Sequence, residues 1–239
     1  MIKVKIVHLL LDPNYQADLT DEQWESIMYK QNKSIECFTS ISKYFYKYTQ
    51  QYSKINRVEL NEDNCADAEI LTKDREPKSS GPYLSFGHYG AYMAHKNAIL
   101  NEFSDDIDVL IIIEGDVVIR VSEEMFVKTI YDNLEFSIEK NASFFTFGEI
   151  KYGIRKPNPK DEEIVIGDYK KISHFLCCHT YAIMSKEKKQ IHDKLKTTKW
   201  HAFDIWLFWN YDKRVDMYGL VEPIVEEPEG FSSIENIYK

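Results

Sequence analysis

No CxxC pair occurs in this sequence; its four cysteines, Cys37, Cys65, Cys177 and Cys178, are either scattered or adjacent. Adjacent residues on a strand point to opposite faces, so Cys177 and Cys178 read as reduced structural thiols rather than as part of a zinc cage or a disulfide framework. Long apolar runs are missing as well. None approaches the ~20 residues that span a bilayer, and the N-terminal MIKVKIVHLLL has no small-residue cleavage site, so it reads as a strand and not as a signal peptide. The expectation is a soluble, cytoplasmic protein with no transmembrane segment. Cationic excess is absent too, with a net charge of −9. Sequence-independent nucleic-acid binding needs a cationic surface, so a nucleic-acid partner is not expected. There is no internal repeat, no low-complexity tract and no linker that would divide the chain.

What is present suits one large α/β domain over residues 1–239, long enough to bury a real core. Aromatics reach 14%, with 16 Tyr, which fits a polar ligand met by amphipathic rings or simply a ring-rich core. The organising stretch is 108–120, DVLIIIEGDVVIR. Val109, Leu110, Ile111, Ile112 and Ile113 are consecutive and mostly β-branched, as in a strand buried on both faces of a mostly parallel sheet. Glu114, Gly115 and Asp116 follow at the strand's C-terminal end, the edge at which open α/β sheets bind ligands. An unpaired buried carboxylate costs several kcal/mol or shifts its pKa. A hard divalent cation, Mn2+ or Mg2+, shared with substrate phosphates would compensate the two acids; the alternative is an acidic, solvated turn.

The remaining pattern alternates strands and helices. Residues 4–11 form a first strand ending in the turn Asp12-Pro13-Asn14. Thr20 and Gln23 are spaced as a capping box, with Trp24, Ile27 and Met28 as the apolar face behind it. A second helix is expected over 38–52, rich in Tyr, Lys and Gln, and a short strand at 58–60. Residues 61–82 read as an irregular surface excursion. A helix over 89–103 carries small alanines (Ala91, Ala94, Ala98) that let it lie close on the sheet, with His95, Ile99 and Phe103 on one face. Further elements are a helix over 122–134, a strand at 143–148, a long loop at 149–171 with a β-ribbon near 164–166, and a strand at 173–184. A helix over 185–195, an aromatic helix over 203–209, an edge strand at 215–219 and an extended tail over 223–234 complete the chain.

Four segments now stand in a telling order: GAYMAHKNA (90–98), EGDV (114–117), HTYAIMS (179–185) and AFDIWL (202–207). In this order they resemble glycosyltransferases of the GT-A type, and more specifically glycosyltransferase family 25, which includes lipooligosaccharide and collagen galactosyltransferases. That family carries a GC-x-x-SH-x-x-A helix, a hydrophobic strand ending in E-D-D-V, a T-x-A-Y-x-I/L-S strand-to-helix turn and a P-x-D-x-x-L/M helix. The likeness covers roughly residues 4–234. Here Gly115 stands for the middle acid, Ala94 for the Ser before the helix His, and Ala202 for the Pro.

The resemblance implies a GT-A-like, Rossmann-like fold with a mostly parallel central sheet flanked by helices. It implies transfer of a hexose from a nucleoside diphosphate sugar, most simply a UDP-sugar, to an acceptor hydroxyl with inversion. Asp116 is then the first candidate metal ligand, with Glu114 on the ion or on the donor's ribose or sugar, beside Gly115. His179 is the candidate non-carboxylate ligand or phosphate contact, or else a buried His satisfied by hydrogen bonds. Asp204, among Trp200, Phe203, Trp206 and Trp209, is the candidate base, since partial desolvation would raise its pKa; the alternative is a helix N-terminal acid acting as cap or dipole partner. His201 would orient it or touch the acceptor. On the donor side the candidates are His8, Leu9 and Leu10 at the end of the first strand, mostly through backbone; Tyr83, His88 and Tyr89, which stack on the base or sugar or else pack in the core; His95 and Lys96 on the helix beside the nucleotide, Lys96 meeting phosphate or standing as an ordinary surface lysine; and Ser232 and Ser233 in the tail. Two other readings stay open. One is a catalytically silent sugar- or nucleotide-binding module of the same fold. The other is a different metal-dependent nucleotide enzyme such as a nucleotidyltransferase, which would want a basic, Gly-rich phosphate loop where this chain has Leu11-Asp12-Pro13-Asn14.

Overall fold

The structure, a computed structural model, describes residues 2–14, 19–53, 86–148, 165–172, 179–198, 203–210, 216–228, 231–232 and 237–238. Two parallel strands begin the sheet: β1 (Val4–Leu11) and β2 (Lys47–Ser53), separated by helix α1 (Asp21–Ile41). The capping box opens α1 as its spacing predicts: the Gln23 backbone N–H donates to Thr20 Oγ1, and the Thr20 N–H donates to Gln23 Oε1. Helix α2 (Phe86–Glu102) leads into β3 (Val109–Glu114), then come the short β4 (Val118–Ile119), α3 (Glu123–Glu139) and β5 (Phe144–Thr146). Next are β6 (Val165–Ile166), β7 (Tyr169–Ile172), β8 (Thr180–Met184), α4 (Lys188–Thr197), α5 (Phe203–Asn210), β9 (Met217–Leu220) and β10 (Val225–Glu226), with a small ribbon of β11 (Phe231–Ser232) and β12 (Ile237–Tyr238).

The main sheet has the order β2-β1-β3-β8-β5-β9-β7-β6. β2, β1 and β3 are parallel; β8 opposes β3; β5 opposes β8 and is parallel to β9; β7 opposes β9, and β6 opposes β7. Six of the eight strands therefore share a direction, with β8 and β7 against them. The mostly parallel α/β sheet read from the sequence is what the chain forms. Residues of β3 divide between two cores by strand alternation. Leu110 and Ile112 join Ala98, Ile99, Ile191 and Trp206 on one face, beneath α2, α4 and α5. Val109, Ile111 and Ile113 join Phe38, Ile41, Phe126 and Ile130 on the other, beneath α1 and α3. Burying each such aliphatic chain contributes about 1.5–3 kcal/mol, so a strand with five of them is a fixed reference for whatever its end carries.

Two sequence expectations are corrected. The helix expected over 38–52 is the last turn of α1, a short 3-10 turn and then strand β2, which pairs with β1 along seven residues from Lys5↔Lys47 to Leu11↔Ser53. Lys and Gln are good helix formers, but a seven-residue parallel ladder overrides that preference, and the half-exposed β2 needs no apolar alternation to show itself. The strand at 215–219 is not at an edge: β9 is buried throughout, between β5 and β7. The expected short strand at 58–60 and the excursion at 61–82 lie outside the described residues, as does most of the long loop. Its ribbon is present as β6 and β7, turning through Gly167 at φ 62°, where the absence of Cβ removes the strain.

Candidate active site

β3 delivers Glu114 to the sheet's C-terminal edge, and the chain turns there through Gly115 and Asp116 before β4. Gly115 is required by a close approach. A Cβ on it would stand 2.7 Å from the Leu9 carbonyl oxygen, 3.2 Å from Leu10 Cδ2 and 3.3 Å from Gln31 Oε1. The first is backbone that cannot swing away, because Leu9 is paired to β2 and β3 on both sides. The middle acid of the family pattern is therefore excluded here by packing. Gly115→Ala is expected to displace the Glu114–Asp116 turn and cost about 1–3 kcal/mol, as overpacking does. In a chain of this size that lowers the melting temperature by roughly 2–12 °C in a circular-dichroism melt.

Because β8 runs against β3, the residue before β8 arrives at the same edge. This is His179, whose carbonyl accepts from the Glu114 N–H at 2.8 Å. His179 Nδ1 lies 2.8 Å from Glu114 Oε2, and His95 Nε2, from α2, lies 3.0 Å from Glu114 Oε1. An ionised carboxylate only accepts, so both imidazoles donate to it, and the tautomers follow from that partner. The His95 Nδ1 then accepts from the Tyr181 hydroxyl at 2.8 Å, and Phe203 stacks on the His95 ring at 4.4 Å with 6° between the planes. Burial opposes the charge on Glu114, yet the hydrogen bonds from His179 and His95 outweigh it and hold the carboxyl well below the usual carboxylate range.

Asp116 is in the opposite condition. Burial, reinforced by the Glu114 charge, pushes its pKa up to about 6. Its Oδ1 is buried with no hydrogen-bond partner among the described residues. One ligand atom each from Glu114, Asp116 and His179 lie within 4.8 Å of one another. The donor set of carboxylate oxygens and an imidazole fits a divalent cation such as Mn2+ or Mg2+, and the orphaned Asp116 oxygen is the kind of atom such an ion satisfies. With Nδ1–H given to Glu114, His179 presents Nε2 as its basic nitrogen, in the carboxylate–imidazole arrangement that commonly orients a metal ligand.

Two residues that sequence reasoning missed border this cluster. Glu227, just past β10, places Oε2 3.9 Å from His179 Nε2 and Oε1 3.4 Å from Lys30 Nζ. Lys30 is 1% exposed, on the buried face of α1. A lysine in the middle of a polar helix carries no signal of burial, and an acid in a tail read only as extended carries none of its destination.

The other predicted residues divide. The His8 imidazole is in the core, 2.9 Å from both the Tyr48 hydroxyl and Ser34 Oγ, and burial pushes its pKa down to about 3. Leu9 and Leu10 are buried beside it, and their main chain belongs to the ladder with β2. His95 is 1% exposed and acts on Glu114 and Tyr181, which makes its ring a support of the acid rather than a surface. Lys96 is half-buried on α2, its Nζ 5.9 Å above the Tyr92 ring. Asp204 is half-buried in the first turn of α5, next to the Phe203 that stacks on His95. His88 is in the first turn of α2 and Ser232 in β11; Tyr83, His201 and Ser233 lie outside the described residues.

No protein-family model matches the chain, and neither does any curated protein. Solved structures of similar shape include a glycosyltransferase involved in glycosylation of the major capsid of PBCV-1, 10% identical over 87% of this chain and 75% of that one, with a TM-score of 0.41. Another is the galactosyltransferase LgtC in complex with donor and acceptor sugar analogs, 11% identical over 89% and 72%, TM-score 0.39. A third is a glucose-1-phosphate thymidylyltransferase from Bacillus anthracis, 12% identical over 94% and 89%, TM-score 0.43. Likeness at this level assigns no family. No described helix is long and apolar enough to cross a membrane.

Proposed function

We propose that this chain is a single-domain, GT-A-like glycosyltransferase that moves a hexose from a nucleoside diphosphate sugar, a UDP-sugar first, to an acceptor hydroxyl with inversion. The observation that carries the reading is the buried Asp116 oxygen, without a hydrogen-bond partner among the described residues, beside Glu114 and His179 at the C-terminal edge of the sheet. The order of the four sequence segments, as a resemblance to glycosyltransferase family 25, supports it. Asp116 and His179 would hold the divalent cation, with Glu114 fixing the His179 ring and offering a further oxygen. When bound, that ion neutralises charge on the departing diphosphate and acts as a template.

The chain's own residues divide the remaining work. Asp204, on the helix docked against His95, takes the acceptor proton as the acceptor oxygen bonds to the anomeric carbon and the bond to the nucleoside diphosphate breaks. His201 orients that acid. Lys96 meets phosphate as a point charge, while Tyr83, His88, Ser232 and Ser233 frame the donor. The test is a thermal-shift screen of UDP-, GDP- and CMP-sugars, each with and without Mn2+, followed by assay of released nucleotide. UDP-sugars with Mn2+ are expected to raise the melting temperature, since a ligand at 100 times its Kd stabilises by about 2.7 kcal/mol. Slow UDP release should accompany the shift. A shift with no UDP released from any donor would leave a silent binding module instead, and no Mn2+ dependence would remove the metal.

A further inference from the structure

We infer that His95 is a positioning residue for both halves of the site, its N–H fixing the Glu114 carboxylate and its ring face fixing the helix that bears Asp204. This rests on the reading of Asp116 and His179 as cation ligands and of Asp204 as the base. Both edges and both faces of the ring are engaged. Nε2 stands 3.0 Å from Glu114 Oε1, and Nδ1 stands 2.8 Å from the Tyr181 hydroxyl. Phe203 lies flat on the ring, 4.4 Å between centroids and 6° between planes, and Tyr181 stacks at 5.6 Å and 25°. A flip of the imidazole would turn carbon toward both polar partners, so one orientation is held. Nε2–H donates to the carboxylate whether the imidazole is neutral or protonated, and the contact does not depend on its charge.

One ring thereby joins four elements. It comes from α2, where the buried Ala94 and Ala98 let the helix lie close on the sheet and Gln51 Nε2, from β2, donates to the Ala94 carbonyl at 3.0 Å. It meets Glu114 at the end of β3, Tyr181 in β8 and Phe203 at the start of α5. Glu114 accepts one imidazole N–H on each oxygen, from His95 on Oε1 and from His179 on Oε2. The plane of the carboxylate, and through it the His179 ring, is therefore set from α2. A carboxylate that orients a metal ligand is commonly held by such a further hydrogen bond. On the other side Phe203 precedes Asp204, so the first turn of α5 begins one ring away from the acid. Packing alone does not call for a histidine. Phe203 and Tyr181 offer faces that a phenylalanine would meet as well, and an imidazole at 1% exposure costs free energy unless its nitrogens are hydrogen-bonded. The stack needs the ring; Glu114 needs the nitrogen.

The test uses the full chain with Mn2+ alone, read by calorimetry and by the free-ion signal in electron paramagnetic resonance, beside hydrogen exchange of the α5 amides. No turnover is involved. Two substitutions separate the two roles. His95→Phe keeps a ring against Phe203 and removes the N–H. Its Mn2+ binding is expected to weaken about tenfold or more, on the scale at which supporting groups of metal sites act, with α5 exchange unchanged. His95→Gln does the reverse. Its amide nitrogen reaches the place of Nε2 and donates to the same oxygen, so Mn2+ affinity should stay within about threefold. Exchange in α5 should quicken by roughly three- to tenfold, the scale of one lost ring stack. If His95→Phe fails to fold because the Tyr181 hydroxyl now faces a ring, the double variant with Tyr181→Phe removes that polar atom and carries the same measurements. Unaltered Mn2+ affinity with phenylalanine at this position, or unaltered α5 exchange in His95→Gln, overturns the shared role while the Asp116–His179 site stands. Failure of the unaltered chain to bind Mn2+ overturns both.

Discussion

Asp116→Ala should abolish Mn2+-dependent UDP binding while leaving the metal-free protein as stable as before, or more so. The two halves of that result have separate causes. Without an ion, Asp116 is a cost to the fold: burial and the Glu114 charge hold its pKa near 6, and its Oδ1 has no hydrogen-bond partner among the described residues. Removing a buried, poorly satisfied acid relieves repulsion and desolvation together, so an ordinary core truncation penalty is offset. With an ion, the same oxygen is the one no other described group claims, and its loss should weaken Mn2+ binding by ~10² or more, beyond the range seen for supporting residues. The unaltered chain at 100 times the Kd of Mn2+-UDP gains about 2.7 kcal/mol. For a chain of this length that is roughly 5–10 °C of melting temperature, and the variant should show none of it. Calorimetry that returns an unchanged affinity would remove Asp116 from the metal site and with it the reading of the sheet edge.

The strand that carries the acids was legible because its residues answer to only one environment. Five consecutive aliphatics from Val109 to Ile113 are all buried, and alternation sends them into both cores. The capping box at Thr20 and the alanine-faced helix α2 were legible for a similar reason, since their signals are local. Strand β2 was not. KYTQQYS has no buried stripe, and its conformation is dictated by the β1 backbone that it joins.

The site was legible in its parts and not in its assembly. Glu114, Asp116 and His179 could each be picked out, but what joins Glu114 to His179 is the reversal of β8, a property of topology that no residue of β8 announces. His95 reaches the cluster from another helix, and Lys30 meets Glu227 across 197 positions of sequence. Gly115 was legible as a departure from the acidic triplet, yet what keeps a side chain out of that position, the Leu9 carbonyl, is a fact of the β1–β3 register. His8 shows the converse. Its place at the end of β1 suggested the donor, but the ring points into the core, to Ser34 and Tyr48, where a neutral imidazole links α1 to β2.

Asp204→Asn tests the chemistry apart from the metal. The helix that bears Asp204 is fixed by its buried neighbours. Phe203 stacks on His95 and on Trp206, Trp206 Nε1 donates to Thr198 Oγ1 at 2.8 Å, and Leu207 is buried in the same core as β3. An isosteric amide keeps that packing and removes the negative charge, and with it the ability to take a proton. If Asp204 receives the acceptor hydroxyl's proton, transfer should fall by ~10² or more, the usual scale of general-base catalysis. Mn2+ and UDP affinities should be unchanged, because the donor and the ion meet other residues. The competing role for an acid in the first turn of a helix is to complement the backbone dipole, worth about 0.3–1 kcal/mol. That role predicts a fall of roughly 1–4 °C in melting temperature with turnover intact. The two roles thus move different measurements. Near-normal transfer in Asp204→Asn, with or without a lower melting temperature, would place the base elsewhere. A hundredfold loss with unaltered melting and donor affinity would leave proton removal as the step that Asp204 performs.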